Sequence, residues 1–205
     1  MSLIGILGLA AAMFVLAITP GPGVFATVST ALTAGLRPAV PVIIGIVAGD
    51  LIFLLLAIFG LSAIAESFGT LFQLIKFLGG AYLIWLGLKF WRSNPEGNEI
   101  NANTSRSDRF GFLGGFSITL GNPKVILFYL GFLPTFVDLQ QLSSVEFAIV
   151  ASVISFVLAT VLLVYAFTAA RARLFLAREA SRKKLNRIAG SVMIGTGAVL
   201  IAKTG

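Results

Sequence analysis

Two ionisable side chains stand where a hydrocarbon interior tolerates few. Asp50 lies within the apolar run 40–65, and Lys124 within the apolar run 110–137. Near a bilayer centre each costs about 2.5–3.5 kcal/mol on insertion scales, so such groups face a bundle interior and often mark an ion or substrate path. A carboxylate held there is a candidate proton carrier, or a partner for a substrate ammonium. An ammonium there is a candidate partner for that carboxylate, for a substrate carboxylate, or for each in turn. The bland alternative is a structural Asp50–Lys124 pair, although buried pairs are seldom kept for stability alone.

Both charges lie close in sequence to residues that interrupt helices. Thr19-Pro20-Gly21-Pro22-Gly23 falls inside the first apolar run, and Gly121-Asn122-Pro123 directly precedes Lys124. Each proline lacks an N–H and crowds the preceding turn, and each glycine loosens the backbone. Within a bilayer the freed backbone groups survive only when buried in protein or lining a wet cavity. A half-helix starting near Val24 would aim N–H groups and the positive end of its dipole at an anion such as a carboxylate. A plain proline kink that serves packing is the other reading. Asn122 would offer its amide to a substrate or simply make the turn before Pro123. Gly45 and Gly49, directly before Asp50, form a GxxxG face that admits a close neighbouring helix.

The elements that must position these residues are legible in the composition. Of 205 residues, 58% are hydrophobic and 11% charged, against about 25% charged in a soluble domain. The few charges are clustered and leave six long apolar stretches, at about 3–30, 41–65, 71–91, 111–136, 145–170 and 188–202. The expected fold is an all-α integral membrane protein occupying residues 1–205 as a single transmembrane domain. Residues 1–92 would form a first three-helix half, the Asn- and Ser-rich segment 93–109 a flexible linker, and 110–205 a second half. Ile18, Thr19 and Gly21 recur as Ile118, Thr119 and Gly121, while Gly80, Ile84 and Gly87 recur as Gly190, Ile194 and Gly197. With three spans per half, the second half must insert inverted, and breaks in corresponding spans point to a transport site.

Charge sets the expected orientation. Arg37 follows the first stretch; Lys89, Arg92, Arg106 and Arg109 follow the third; Arg171, Arg173, Arg178, Arg182, Lys183, Lys184 and Arg187 follow the fifth. Twelve of the fifteen basic residues thus fall on one side, opposite loops carrying Glu66, Lys76, Asp138 and Glu146. The positive-inside rule makes that side cytoplasmic and puts both termini outside. The net charge of +7 is therefore a topology signal in contact with membrane lipid, not a nucleic-acid surface. Lys76 is expected to snorkel. Trp85, Trp91 and Tyr129 are candidate interfacial anchors, with a packed-core position the equal alternative for Trp85.

No Lys or Arg precedes Arg37, so the N-terminal apolar stretch is expected to remain rather than act as a cleaved signal. The chain has no Cys and no His. Disulfides, iron–sulfur clusters and thiolate sites are thereby excluded, as are zinc proteases and Ser–His proteases. No cofactor and no enzymatic activity are expected.

TPGPG in the first stretch, GxxxGD in the second, GGAYLIWLG in the third and LGNPK in the fourth resemble the LysE/RhtB family of bacterial amino-acid exporters. The likeness extends over the whole length. It implies proton-driven efflux of amino acids or close derivatives across the inner membrane, with the family's motif positions at Pro20, Gly21, Pro22, Gly23, Gly49, Asp50, Gly79, Gly80, Gly87, Asn122, Pro123 and Lys124. Cadmium-resistance members of the superfamily offer an alternative that the absence of Cys and His disfavours. A membrane scaffold built on the Asp50–Lys124 pair is a second alternative. Homodimerisation through small-residue faces is left open.

Overall fold

The computed structural model describes residues 2–59, 104–139, 141–175 and 179–202, together with Phe77, Ala81, Ile84, Trp85, Gly87, Leu88, Trp91 and Arg92. Among these every regular element is helical. Helix α1 spans Leu3–Ile18, its start fixed by Ser2, whose hydroxyl accepts from the Gly5 N–H at 3.1 Å. At 16 residues it rises only about 24 Å, short of a ~30 Å hydrocarbon core. Helix α2, Pro22–Ala34, continues it after a bend of 58°. The helix break expected within the stretch 3–30 thus falls between Ile18 and Pro22, and the second helix runs on to Ala34.

Gly35 alone joins α2 to α3 (Leu36–Ile58), with φ at 97°, a left-handed value that only glycine adopts without strain. Arg37 stands exposed at this corner. Helix α4 runs Thr104–Leu120. It begins inside the segment expected to be a flexible linker, so residues 104–109 are helical while 93–103 lie outside the described residues. After a second break come α5 (Pro123–Leu127), a π-helical turn (Phe128–Phe132) and α6 (Leu133–Phe136). Helix α7 spans Ser144–Phe175 and α8 Glu179–Ala202. Helix α8 therefore starts well before Ile188, on the basic side, which gives the short sixth apolar stretch its missing length.

Among the described residues α3 and α7 are long and apolar enough to cross a membrane, and α1 with α2 makes a third span if counted as one. Most of 71–91, including Lys76, Gly79 and Gly80, lies outside the described residues, as does Glu66. Large apolar side chains face outward all round: Ile4, Phe59, Phe132, Phe156 and Phe167 are all exposed. In water this would be a surface demanding cover; in lipid it is the expected exterior. The protein is a multi-pass membrane protein, helical throughout its described residues.

Small residues set the helix contacts, as they must where lipid and protein interior are equally apolar. A Cβ added to Gly45 would collide with the Phe112 carbonyl, and one on Gly115 with the Val42 carbonyl. One on Gly49 would lie 2.7 Å from Thr119 Cβ. The GxxxG face of α3 thus seats α4 backbone to backbone. Gly87 and Gly190 touch in the same manner, and the Arg187 guanidinium sits 5.3 Å over the Trp91 ring.

Candidate functional site

The first break frees carbonyls at the end of α1, because Pro20 and Pro22 supply no N–H and α1 stops at Ile18. Side chains from distant elements satisfy them. Lys124 Nζ donates to the carbonyls of Leu16 and Thr19, each at 2.8 Å, and the Tyr165 hydroxyl donates to that of Ile18 at 2.9 Å. On the far side of the break Gly21 is extended and caps α2 without a side chain. The Phe25 N–H returns to the Gly21 carbonyl at 2.9 Å, which leaves the Gly23 and Val24 N–H groups beyond the reach of any acceptor within the helix.

The second break is capped locally. The Gly121 N–H donates to the Ser117 carbonyl, and Asn122 Oδ1 accepts from the Lys124 N–H at 3.1 Å, opening α5 with Pro123 in its first turn. That geometry launches the Lys124 side chain across to α1. Its ammonium passes close to Gly21, where a Cβ would sit 3.4 Å from Nζ. Thr119, one turn before the break, donates to the Ile46 carbonyl at 3.3 Å and ties α4 to α3.

Asp50 is 1% exposed, and its Oδ1 accepts from the Tyr129 hydroxyl at 3.1 Å. Tyr129 is fully buried, its ring stacked on Phe53 at 5.9 Å and met edge-on by Phe128 at 5.4 Å. It lies in the π-helical turn, a distortion that recurs at functional sites. Tyr129 is therefore the partner of Asp50 and not an interfacial anchor. Asp50 and Lys124 form no ion pair: the carboxylate is held by a phenol and the ammonium by two carbonyls. The structural pair on which a scaffold reading depends is not formed. Trp85 and Trp91, by contrast, are about half exposed, as anchors would be.

Between the two breaks lies a cavity of about 40 Å³, bordered by Asp50, Lys124, Asn122, Gly21, Gly23 and Thr119 among others. That holds a few waters; anything larger requires the walls to part. Five sequence-predicted residues thus converge on one space: Gly21, Gly23, Asp50, Asn122 and Lys124. Four do not line it. Pro20 lies in the break but is exposed, Pro22 starts α2, Pro123 starts α5, and Gly49 is spent on the contact with Thr119. Thr119 and Tyr129 are the polar residues that sequence reading missed. The signal for Tyr129 was present, since a buried carboxylate needs a donor and this is one of only three tyrosines. A larger apolar groove of about 600 Å³ runs outside, between α1 and the segment from Leu127 to Phe136, and shares Leu16 and Lys124 with the cavity. Chemically, a carboxylate, an ammonium and the start of a helix bordering a single small cavity complement a molecule that carries both charges.

The family model described as LysE type translocator matches residues 14–204. An uncharacterized membrane protein of Synechocystis sp. is 34% identical over 196 residues, covering 96% of this chain and 95% of that protein. The homoserine/homoserine lactone efflux protein of Salmonella typhimurium is 30% identical over 185 residues, covering 90% of each. The leucine efflux protein of an Enterobacter species is 26% identical over 190 residues, covering 91% of this chain and 90% of that protein. No solved structure matches the chain.

Proposed function

The chain belongs to the LysE type translocator family, and from that premise we propose that it is a secondary active exporter of amino acids or close derivatives, driven by proton antiport across the bacterial inner membrane. The observation that carries this reading is the cavity where two helix breaks meet, with Asp50 and Lys124 on its walls and not bonded to one another. Relatives named for homoserine/homoserine lactone efflux and for leucine efflux support an amino acid or close derivative as substrate.

In this account the substrate ammonium takes the face of Asp50 left open beside the Tyr129 bond. Its carboxylate takes the N–H groups of Gly23 and Val24 or the Lys124 ammonium, and Asn122 adds its amide. A proton arriving at Asp50 from outside cancels the charge that held the ammonium and releases substrate outward. Lys124, resting on the Leu16 and Thr19 carbonyls, keeps the broken end of α1 satisfied while the cavity is closed.

The wider architecture in this proposal is six spans in two inverted halves with both termini outside. Packing supports it. The second span (α3) lies on the fourth (α4), the fifth (α7) lies on the first (α1 and α2), and Gly87 of the third meets Gly190 of the sixth. Exchanging the halves maps this set of contacts onto itself, which is what a pseudo-two-fold in the membrane plane produces. Arg37 exposed at the α2–α3 corner, with Arg171 and Arg187 also exposed, supports a cytoplasmic basic side.

Counterflow in proteoliposomes tests the substrate class. Vesicles loaded with unlabelled leucine or homoserine should draw in the labelled compound faster than protein-free vesicles. Equal rates across a panel of amino acids, from folded protein, would remove the amino-acid reading.

A further inference from the structure

Thr27, fully buried in α2, carries a side-chain oxygen with no hydrogen-bond partner in the protein. Several other threonines among the described residues are satisfied. Thr19, Thr33, Thr168 and Thr196 each donate to the carbonyl four residues back, and Thr119 donates to Ile46. A dry, unbonded hydroxyl is a standing cost that Val or Ala would avoid at the same position.

Its place in α2 gives it a use. Gly23 and Val24 border the cavity, and Thr27 follows them by four and three residues respectively, one turn on along the same face. The direction is away from the break, toward the Gly35 corner and exposed Arg37. Gly23, Thr27 and Ala31 are all small and all buried, and α2 packs on α3 here, a Cβ on Gly23 falling 3.3 Å from Ile46 Cδ1. Gly23, Thr27 and Ala31 thus form a run of small buried side chains that leads from the cavity toward the Gly35 corner, with one polar side-chain atom set in it.

We propose that Thr27 lies on the inner half of the transport path, its hydroxyl bonding the polar head of the substrate when α2 and α3 part toward the basic side. This rests on reading the cavity as the transport site. In the closed form the hydroxyl is dry; in the inward-open form it faces water.

The natural absence of cysteine makes the test direct. Thr27→Cys and Ala57→Cys, the latter buried near the opposite end of α3, are treated with a membrane-impermeant methanethiosulfonate added to the basic face of sealed vesicles. Thr27→Cys should be modified and Ala57→Cys should not. No modification of Thr27→Cys, or equal modification of both, overturns the proposal. Thr27→Val supplies the second readout. It should fold with at least parental thermal stability and raise the KM for leucine or homoserine counterflow about three- to tenfold, the worth of one hydrogen bond. An unchanged KM overturns the proposal. Labelling needs no substrate, so a wild-type chain that moves neither amino acid counts against the exporter reading and leaves the path to be judged by the thiols.

Discussion

The Tyr129 hydroxyl donates to Asp50 across 3.1 Å, and both side chains are sealed from solvent. A π-helical turn between α5 and α6 thus supplies the donor for a carboxylate in α3. Tyr129→Phe removes that bond while keeping the ring against Phe53 and Phe128. Leaving a buried acceptor short of its donor costs about 1–3 kcal/mol. A lowered melting temperature in detergent is expected, together with an altered pH profile of export. A rate reduced by the same factor at every pH would make Tyr129 a packing residue only.

Lys124 holds two carbonyls of the broken α1. Lys124→Met keeps the length of the side chain and abandons both acceptors, at about 1–3 kcal/mol for each left dry. The variant should be less thermostable than Asp50→Asn, which keeps an oxygen for the Tyr129 hydroxyl. Comparable melting temperatures would show that the carbonyls find other donors. Lys124→Arg should not restore the wild type, because the planar fork is a poor substitute for a compact ammonium beside Gly21.

Asn122 caps α5 through Oδ1. Asn122→Ala should lose about 0.5–2 kcal/mol and Asn122→Ser much less, since serine caps as well. If the amide also meets substrate, Asn122→Ser will hold its stability and still transport with a raised KM. Wild-type transport in Asn122→Ser would confine Asn122 to its capping role.

The α3–α4 seam predicts a steep contrast between glycines. Gly45→Ala must push a methyl into the Phe112 carbonyl, so the helices separate at a cost of about 1–3 kcal/mol or more. Gly195→Ala meets nothing within 4 Å and should change stability by no more than about 1 kcal/mol, in the favourable direction. Equal melting temperatures for the two variants would contradict the close α3–α4 contact.

Much of this was legible in the sequence, and the limits have physical causes. Asp50, Lys124 and the proline–glycine breaks announce themselves because hydrocarbon penalises charges and unpaired backbone groups, so each must have a reason. The GxxxG face of α3 was readable because backbone contact needs small residues wherever it occurs. Partner choice was not readable. Lys124 and Asp50 look like a pair in one dimension, yet the freed carbonyls of Leu16 and Thr19 compete for the ammonium, and only the three-dimensional path of the break shows that they win it. Tyr129 was misassigned because a mid-span phenol and an interfacial one look alike in sequence, and a π turn has no residue signature of its own. The early start of α4 was hidden by polar residues that propensity alone assigns to a linker.

In the proposed mechanism Asp50 couples the proton gradient to export. The direct measurement is uphill movement of leucine or homoserine by purified protein in proteoliposomes under an imposed pH gradient, wild type beside Asp50→Asn. Gradient-dependent accumulation by the wild type and its loss in Asp50→Asn are expected. Full gradient-driven accumulation by Asp50→Asn would contradict it and move the coupling to another residue.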